Sequence, residues 1–120
     1  MSRLLKAEDL RGVELSLYLT DDQTIRRLNK EYRAKDEATD VLSFPFGEWA
    51  GEHYLLGEIV ISVETAKRQA EETGCTLEEE IKRLVVHGFV HLLGYDHELG
   101  GEQEELFRKK EQELTAHLRA

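Results

Sequence analysis

The most informative stretch of this chain is Leu84-Val-Val-His-Gly-Phe-Val-His-Leu-Leu-Gly-Tyr-Asp-His97. Up to Leu93 it is apolar except for two histidines and one glycine, which predicts a helix buried on nearly every side. Thr76 and Glu79 have the spacing of a capping box, so we expect the helix to begin just after Thr76. Gly94 is well placed to terminate it, because glycine readily adopts a left-handed conformation.

The rest of the chain predicts short strands and further helices. Strands are expected at Val13–Leu19, at Asp40–Phe44 stopped by Pro45, and at Leu55–Ile61 with Gly57 near its start. Helices are expected over Ser2–Leu10, after Thr20 as N-cap with Gln23 closing a capping box, from Ser62 or Val63 to Gly74, and over residues 102–118. Short connections permit both parallel and antiparallel pairing. The expected fold is therefore α+β, a small mixed β-sheet of three to four strands covered by helices.

Two of these helices have a predicted apolar side that should pack on the core. The sides consist of Ile25, Leu28 and Tyr32 in the first case and of Leu106, Phe107, Leu114 and Leu118 in the second. Burial of such a side is the usual source of helix stability in a protein. We therefore expect the C-terminal helix to pack on the core.

Length and composition predict one domain, residues 1–120, in a reducing compartment. The chain has 120 residues, of which 40 % are hydrophobic and 34 % charged. Its single cysteine, Cys75, excludes a disulfide framework. No apolar run approaches the roughly 18 residues of a membrane span, and the N-terminus lacks the shape of a signal peptide. The expected location is the cytoplasm.

Charge is segregated along the chain. The net charge of −9 argues against a generic binder of nucleic acid or of anionic membranes, but it permits a local basic groove. Such a groove is indicated by Arg26, Arg27, Lys30, Arg33 and Lys35, which have only Glu31 among them. The acidic residues Glu71, Glu72, Glu78, Glu79 and Glu80 are expected to form a solvated face.

Three histidines within residues 84–97 have the spacing of a metal site. His87 and His91 lie four residues apart on the predicted helix, so both imidazoles leave one face about a turn apart. A sharp turn at Gly94 can bring His97 to the same point. Three neutral imidazoles with an open fourth position are typical of catalytic zinc, which supplies hydroxide at neutral pH. We expect one Zn²⁺ per chain, although other divalent transition metals could bind the same ligands.

The spacing matches the zinc-protease pattern H-E-x-x-H-x-x-G-x-x-H with one departure. Gly88 stands where the protease has the glutamate that acts as general base. The prediction is therefore a zincin-like central helix that carries metal ligands but lacks the proton acceptor of a protease. A peptidase could still use another base, such as Asp96 or Glu58.

The run at residues 87–97 resembles the signature H-G-x-x-H-L-x-G-Y-D-H of the YbeY family. Three further stretches agree with that family, in order along the chain: Leu28-Asn-Lys-Glu-Tyr-Arg-Ala-Lys-Asp36, Thr39-Asp-Val-Leu-Ser-Phe-Pro45 and Leu56-Gly-Glu-Ile-Val-Ile-Ser62. The resemblance covers residues 13–110. The N-terminal part is shorter than is usual in the family, which leaves open whether the family's first strand is present.

The resemblance implies a metal-dependent endoribonuclease that acts in bacterial rRNA maturation. It implies zinc on His87, His91 and His97, and a functional role for Arg33. The expected reaction is hydrolysis of single-stranded RNA in 16S rRNA 3′-end maturation and ribosome quality control. Expected partners are rRNA and either the small ribosomal subunit or assembly proteins, with neither DNA nor a membrane among them. Both zinc-bound water and an activated 2′-hydroxyl remain open as the nucleophile.

Physical roles can be assigned to the charged residues of these stretches. Arg33 could clamp two non-bridging phosphate oxygens as charge develops on them. Lys35 is a candidate for positioning phosphates, and the strand beginning at Asp40 is expected to place Asp40 and Ser43 near the site through their backbone. For Asp96 three roles stay open: holding a ligand imidazole in its tautomer, serving as the general base, or capping the turn.

Two alternative functions remain. One is a zinc-dependent peptidase or other amide hydrolase that uses the same three histidines, against which Gly88 argues. The other is a non-catalytic ribosome-assembly factor with structural zinc. Because structural zinc is usually closed by four protein ligands, the open fourth position argues against this second alternative.

Overall fold

The computed structural model describes residues 13–94 and 101–119, without the side chains of residue 103 and residues 117–119. The strands are β1 (Val13–Thr20), β2 (Val41–Ala50) and β3 (His53–Ser62). The helices are α1 (Asp22–Arg33), α2 (Val63–Thr73), α3 (Leu77–Leu92) and α4 (Gly101–Arg119). The helix predicted at Ser2–Leu10 lies outside the described residues.

The three strands form one mixed sheet in the order β1-β3-β2. β1 runs parallel to β3, and β2 runs antiparallel to it. The antiparallel pair is a hairpin in which Ala50 pairs with His53, so that Gly51 and Glu52 form the turn. Gly51 has a φ of 64°, which suits the tight two-residue turn of a hairpin. The predicted α+β fold with a small mixed sheet is confirmed.

Strand β2 is longer than the sequence predicted. Pro45 does not stop it: the residue pairs with Gly57 and the strand continues to Ala50, with an irregularity between Pro45 and Glu48. Since β2 is an edge strand, one missing backbone N–H is tolerated there. The residues from Pro45 to Ala50, which lie beyond the predicted end of the strand, are therefore part of the hairpin.

Gly57 was predicted near the start of β3, but it lies in the middle of the strand. A Cβ atom at this position would lie 2.4 Å from the main-chain oxygen of Phe44 and 2.8 Å from Cδ2 of Leu92. No side chain fits between these two groups. Gly57 therefore allows β2 and the end of α3 to approach β3 closely.

The core lies between the sheet and helix α3. Buried apolar side chains come from the sheet (Ile59 and Ile61), from α3 (Leu84, Val85, Val86, Phe89, Val90 and Leu92) and from α4 (Phe107 and Leu114). The predictions that α3 is buried on nearly every side and that the C-terminal helix packs on the core are confirmed. Leu106 was wrongly placed in that core, since it is 39 % exposed; the side chain of Leu118 lies outside the described residues.

Most predicted helix ends are confirmed. Ser62 caps α2, Gly74 ends it, and Thr76 and Glu79 form both hydrogen bonds of the capping box of α3. At α1 the N-cap is Asp21 and not the predicted Thr20, because the Asp21 carboxylate accepts a hydrogen bond of 2.8 Å from the backbone N–H of Thr24. Both residues can cap a helix, and the sequence alone does not decide between neighbours.

The solvent exposure of two side chains differs from the prediction. Tyr32 was expected in the core but is 61 % exposed, although Ile25 on the same side is buried. Periodicity indicates the buried side of a helix, but not how far along the helix the sheet extends. Glu80 was expected in a solvated acidic face but is 2 % exposed, and its carboxylate accepts a hydrogen bond from Arg83. Burial of this charge requires such a partner.

Within the described ranges, no helix is both long and apolar enough to cross a membrane.

Candidate metal and nucleic-acid site

Residues from three elements line one cleft with a volume of about 460 Å³. Helix α3 contributes His87 and His91, β2 contributes Ser43, and α1 contributes its last residue, Arg33. The remaining lining residues are Thr39, Asp40, Val41, Leu42, Pro45 and Leu92. The structure thus brings together two predicted metal ligands and the predicted phosphate clamp, which are more than fifty residues apart along the chain.

The two histidines face each other on successive turns of α3. Their ring centroids are 4.9 Å apart, and both rings pack against Phe107 of α4, at 5.1 Å for His87 and 4.8 Å for His91. Nδ1 of His87 lies 2.9 Å from Oε2 of Glu111. The i, i+4 spacing therefore places both imidazoles at the cleft, as predicted.

The residues at this site fit a metal ion. Imidazole nitrogen is a preferred donor for zinc, and a ligating histidine usually engages its other nitrogen with a carboxylate or carbonyl. His87 has this arrangement through Glu111. His97, the third predicted ligand, and Asp96 lie outside the described residues. Among the residues that are described, no group of three or more donors is present, so the complete ligand set stays a prediction.

Arg33 is held at the cleft by β2. Its Nη2 donates a hydrogen bond of 2.6 Å to the main-chain oxygen of Ser43, and its Cζ lies 5.9 Å from the centroid of the Phe44 ring. Lys35 is exposed just beyond the end of α1 and is not among the residues that line the cleft. Of the two predicted RNA contacts, the structure therefore brings only Arg33 to the histidines.

Gly88 lies where α3 meets the sheet. A Cβ atom there would lie 2.9 Å from Oγ of Ser43 and 3.0 Å from Cγ2 of Ile59. A glutamate at this position would have to enter the packed interface between the helix and the sheet. The glycine that replaces the protease glutamate therefore has two consequences. It removes the general base, and it allows the helix to pack closely against the sheet.

Asp40 anchors the start of β2. Its Oδ1 accepts a hydrogen bond of 2.8 Å from the N–H of Val41, and its Oδ2 accepts one of 3.3 Å from Nε2 of Gln69. Ser43 donates from Oγ to the main-chain oxygen of Gly88 at 3.2 Å. These contacts agree with the expectation that Asp40 and Ser43 act by placing the backbone near the site.

The exposed surface of α1 carries basic and aromatic side chains. Arg27 and Lys30 are exposed on this helix. The neighbouring Arg26 forms an ion pair of 2.9 Å with Asp36, which lowers the pKa of that carboxyl. The exposed ring of Tyr32 packs edge-on against Phe44, with centroids 5.4 Å apart. This aromatic pair therefore adjoins Arg33.

Two residues of the site had no signal in the sequence. Glu111 is one of several glutamates in a polar helix, and its sequence neighbours do not distinguish it. Tyr32 occupies a position of apolar periodicity and was therefore predicted in the core. Tertiary packing alone sets Glu111 against His87 and Tyr32 against Phe44, the ring beside Arg33.

The chain is similar to several known proteins of one family. Residues 1–119 match the family described as Endoribonuclease YbeY. The chain is 61 % identical over 114 residues to Endoribonuclease YbeY of Aquifex aeolicus, covering 95 % of this chain and 76 % of that protein. It is 53 % identical over 105 residues to Endoribonuclease YbeY of a Sulfurihydrogenibium species, covering 87 % of this chain and 69 % of that protein. The solution structure of TM1509 from Thermotoga maritima is similar with a TM-score of 0.67 and 29 % identity, covering 97 % of this chain and 76 % of that one. The chain belongs to the YbeY endoribonuclease family.

Proposed function

We propose that this protein is a zinc-dependent endoribonuclease that cleaves single-stranded RNA in the cleft between α1, β2 and α3. One observation carries the proposal: Arg33 and the pair His87 and His91 come from separate elements and line the same cleft. A cation beside two imidazoles suits a phosphodiester substrate, because the phosphate is anionic and gains charge during hydrolysis.

Arg33 binds and orients the phosphate. Its planar guanidinium can donate to two phosphate oxygens in parallel, which a lysine cannot do. The hydrogen bond to Ser43 restrains the side chain before substrate arrives, so less conformational entropy is lost on binding. This restraint supports a role for Arg33 in stabilising the charge that develops on the non-bridging oxygens.

His87, His91 and His97 would hold the zinc ion. When bound, zinc supplies Lewis acidity and a nucleophile at neutral pH. Within the described residues, Glu111 supports this assignment because its carboxylate lies 2.9 Å from Nδ1 of His87 and would leave Nε2 for the metal.

The preference for single strands rests on the aromatic pair Tyr32 and Phe44, which adjoins Arg33. Unpaired bases stack on exposed aromatic rings regardless of sequence, whereas bases within a duplex already stack on each other. Tyr32 is exposed and adjoins the arginine that holds the phosphate. Arg27 and Lys30 can attract the neighbouring phosphates despite the net charge of −9.

The biological setting follows from the family. We propose a cytoplasmic role in 16S rRNA 3′-end maturation and ribosome quality control, with the small ribosomal subunit or assembly proteins as partners. A peptidase reaction at the same histidines is disfavoured, because the interface around Gly88 leaves no room for the glutamate base.

Cleavage of end-labelled single-stranded RNA tests this function. Metal-stripped protein is assayed before and after addition of one equivalent of zinc, together with His91→Ala. The matched control is His53→Ala, because His53 lies exposed at the start of β3 and is not among the residues that line the cleft. We expect zinc to restore cleavage in the wild type and in His53→Ala but not in His91→Ala.

Two results would contradict the proposal. The first is absence of cleavage by zinc-loaded protein, both alone and with small ribosomal subunits. The second is equal cleavage by His91→Ala, since the activity would then come from another site or a contaminating nuclease. The product ends identify the nucleophile, because 2′-hydroxyl attack leaves a 2′,3′-cyclic phosphate and attack by water does not.

A further inference from the structure

We propose that Glu111 is a positioning residue for His87. Its carboxylate accepts a hydrogen bond from Nδ1–H of the imidazole and so presents Nε2 of His87 as the metal donor. The inference deepens the proposed metal site and rests on it. It assigns a role in that site to α4, a helix whose described residues supply none of the predicted metal ligands.

The contact has the geometry of a strong hydrogen bond. Nδ1 of His87 and Oε2 of Glu111 are 2.9 Å apart, and the side chains are 24 % and 27 % exposed. Partial burial reduces competition by water, and hydrogen bonds with an ionised partner are stronger than neutral ones. The two residues are 24 positions apart, so the contact exists only because α4 packs on α3.

The contact also determines which imidazole nitrogen carries hydrogen. An ionised carboxylate can only accept hydrogen bonds, so the hydrogen lies on Nδ1 of His87. In a neutral imidazole the other nitrogen, Nε2, is then the lone-pair donor. Without a carboxylate at this point, the ring could rotate or change tautomer before a metal ion arrives.

Phe107 supplies the second restraint from the same helix. Its ring packs against both imidazoles and is buried to 1 % exposure. Leu114, which is fully buried, secures the next two turns of α4 on the core. Glu111 lies between these two anchors, so its carboxylate is held against His87 by the packing of the helix.

Three variants distinguish positioning from mere attachment of α4. Glu111→Ala removes the acceptor, whereas Glu111→Gln keeps an oxygen acceptor and removes the charge. Glu113→Ala is the matched control, because Glu113 lies on the same helix, is 65 % exposed and pairs with Lys110 at 3.7 Å. The measurements are the imidazole ¹⁵N NMR spectrum of the metal-free proteins and the zinc affinity in competition with a chelator.

We expect the wild type and Glu113→Ala to show His87 with its hydrogen on Nδ1. In Glu111→Ala the Nε2–H form should become populated, and zinc affinity should fall about 10- to 100-fold. Glu111→Gln should keep the wild-type tautomer and lose less affinity than Glu111→Ala. This rescue by the conservative variant is not expected if Glu111 contributes only charge to an ion pair.

The proposal is overturned if Glu111→Ala keeps both the wild-type tautomer and the wild-type zinc affinity, even if its thermal stability falls. It is also overturned if metal-free wild-type protein carries the hydrogen on Nε2 of His87. Failure of the proposed metal site has a different signature, because wild-type protein would then bind no zinc. The tautomer measurement needs no metal and tests the orientation of His87 by itself.

Discussion

The main-chain oxygen of Ser43 accepts a hydrogen bond of 2.6 Å from the guanidinium of Arg33. The hydroxyl of Ser43 donates in the other direction, to the main-chain oxygen of Gly88 at 3.2 Å. One residue of β2 therefore links the C-terminal end of α1 to the middle of α3. Because Arg33, Ser43 and the two histidines line the same cleft, Ser43 connects the arginine to the helix that carries the histidines.

Replacement of Arg33 should impair catalysis more than folding. Loss of one group that stabilises developing charge commonly costs about 10²- to 10³-fold in kcat. We expect a loss of this size in Arg33→Ala, and incomplete rescue in Arg33→Lys because an ammonium cannot bind two oxygens in parallel. The measurement is kcat on single-stranded RNA at equal zinc content. Unchanged kcat in Arg33→Ala would exclude the clamp. Lys109→Ala serves as the control for general loss of positive charge, because Lys109 is exposed on α4 and pairs with Glu105.

Removal of the Tyr32 ring should weaken RNA binding. Stacking of one base on an aromatic ring contributes about 1–3 kcal/mol, so KM for single-stranded RNA should rise by about 5- to 150-fold in Tyr32→Ala. Tyr32→Phe keeps the ring and should behave like the wild type. Since the ring is 61 % exposed, folding stability should change little. The stacking role would be wrong if Tyr32→Ala bound an oligonucleotide as tightly as the wild type.

Substitution of Gly88 by alanine should destabilise the protein. Alanine favours a helix by about 1 kcal/mol over glycine, but an added methyl group in a packed interface costs about 1–3 kcal/mol. The clash with Ser43 and Ile59 should outweigh the gain, because both contacts fall at or below 3.0 Å. Chemical denaturation measures the change in free energy of unfolding.

A double-mutant cycle checks the cause of that effect. Ser43→Ala removes the Oγ atom that a Cβ at position 88 would approach to 2.9 Å. We therefore expect the double variant Ser43→Ala, Gly88→Ala to be more stable than the sum of the single effects indicates. Strict additivity would show that Ser43 is not the residue that excludes a side chain at position 88.

Asp22 should make stability depend on acid pH. Its carboxylate accepts hydrogen bonds of 2.5 Å from Ser62 and from Thr65, and one oxygen lies 2.9 Å from Nη2 of Arg68. The hydrogen bonds from Ser62 and Thr65, followed by Arg68, lower the pKa of Asp22 from its ordinary value of 3.8. A folded-state pKa below the unfolded one means that the stabilisation is complete above the unfolded value and is lost as pH falls through the folded value.

We therefore expect Asp22→Asn to lower the free energy of unfolding at pH 7 by about 1–3 kcal/mol, the range for hydrogen bonds to a charged group. The difference from the wild type should shrink as the pH falls below 3.8 and the native carboxylate takes up a proton. The control is Asp36→Asn, because Asp36 pairs with Arg26 at the exposed surface and should contribute less. A difference between wild type and Asp22→Asn that is constant with pH would contradict this assignment.

Much of the fold and half of the described site could be predicted from local sequence. The capping box at Thr76, the apolar helix after it and the spacing of His87 and His91 depend on contacts within four residues of each other. The resemblance of four separate stretches to one family added Arg33. Strand β2 was predicted too short because Pro45 was read as a stop, although it pairs at the edge of the sheet.

Local sequence patterns predict the helix that carries the histidines, and four separate motifs identify the family. Tertiary packing brings Arg33 to the cleft lined by that helix, sets Glu111 against His87, and leaves Gly88 no room for a side chain. The difference lies in how far along the chain the contacting residues are separated. Periodicity and caps report contacts along one element, whereas the meeting of residues 33, 43, 87 and 111 depends on the register of the sheet and on the packing of α3 and α4.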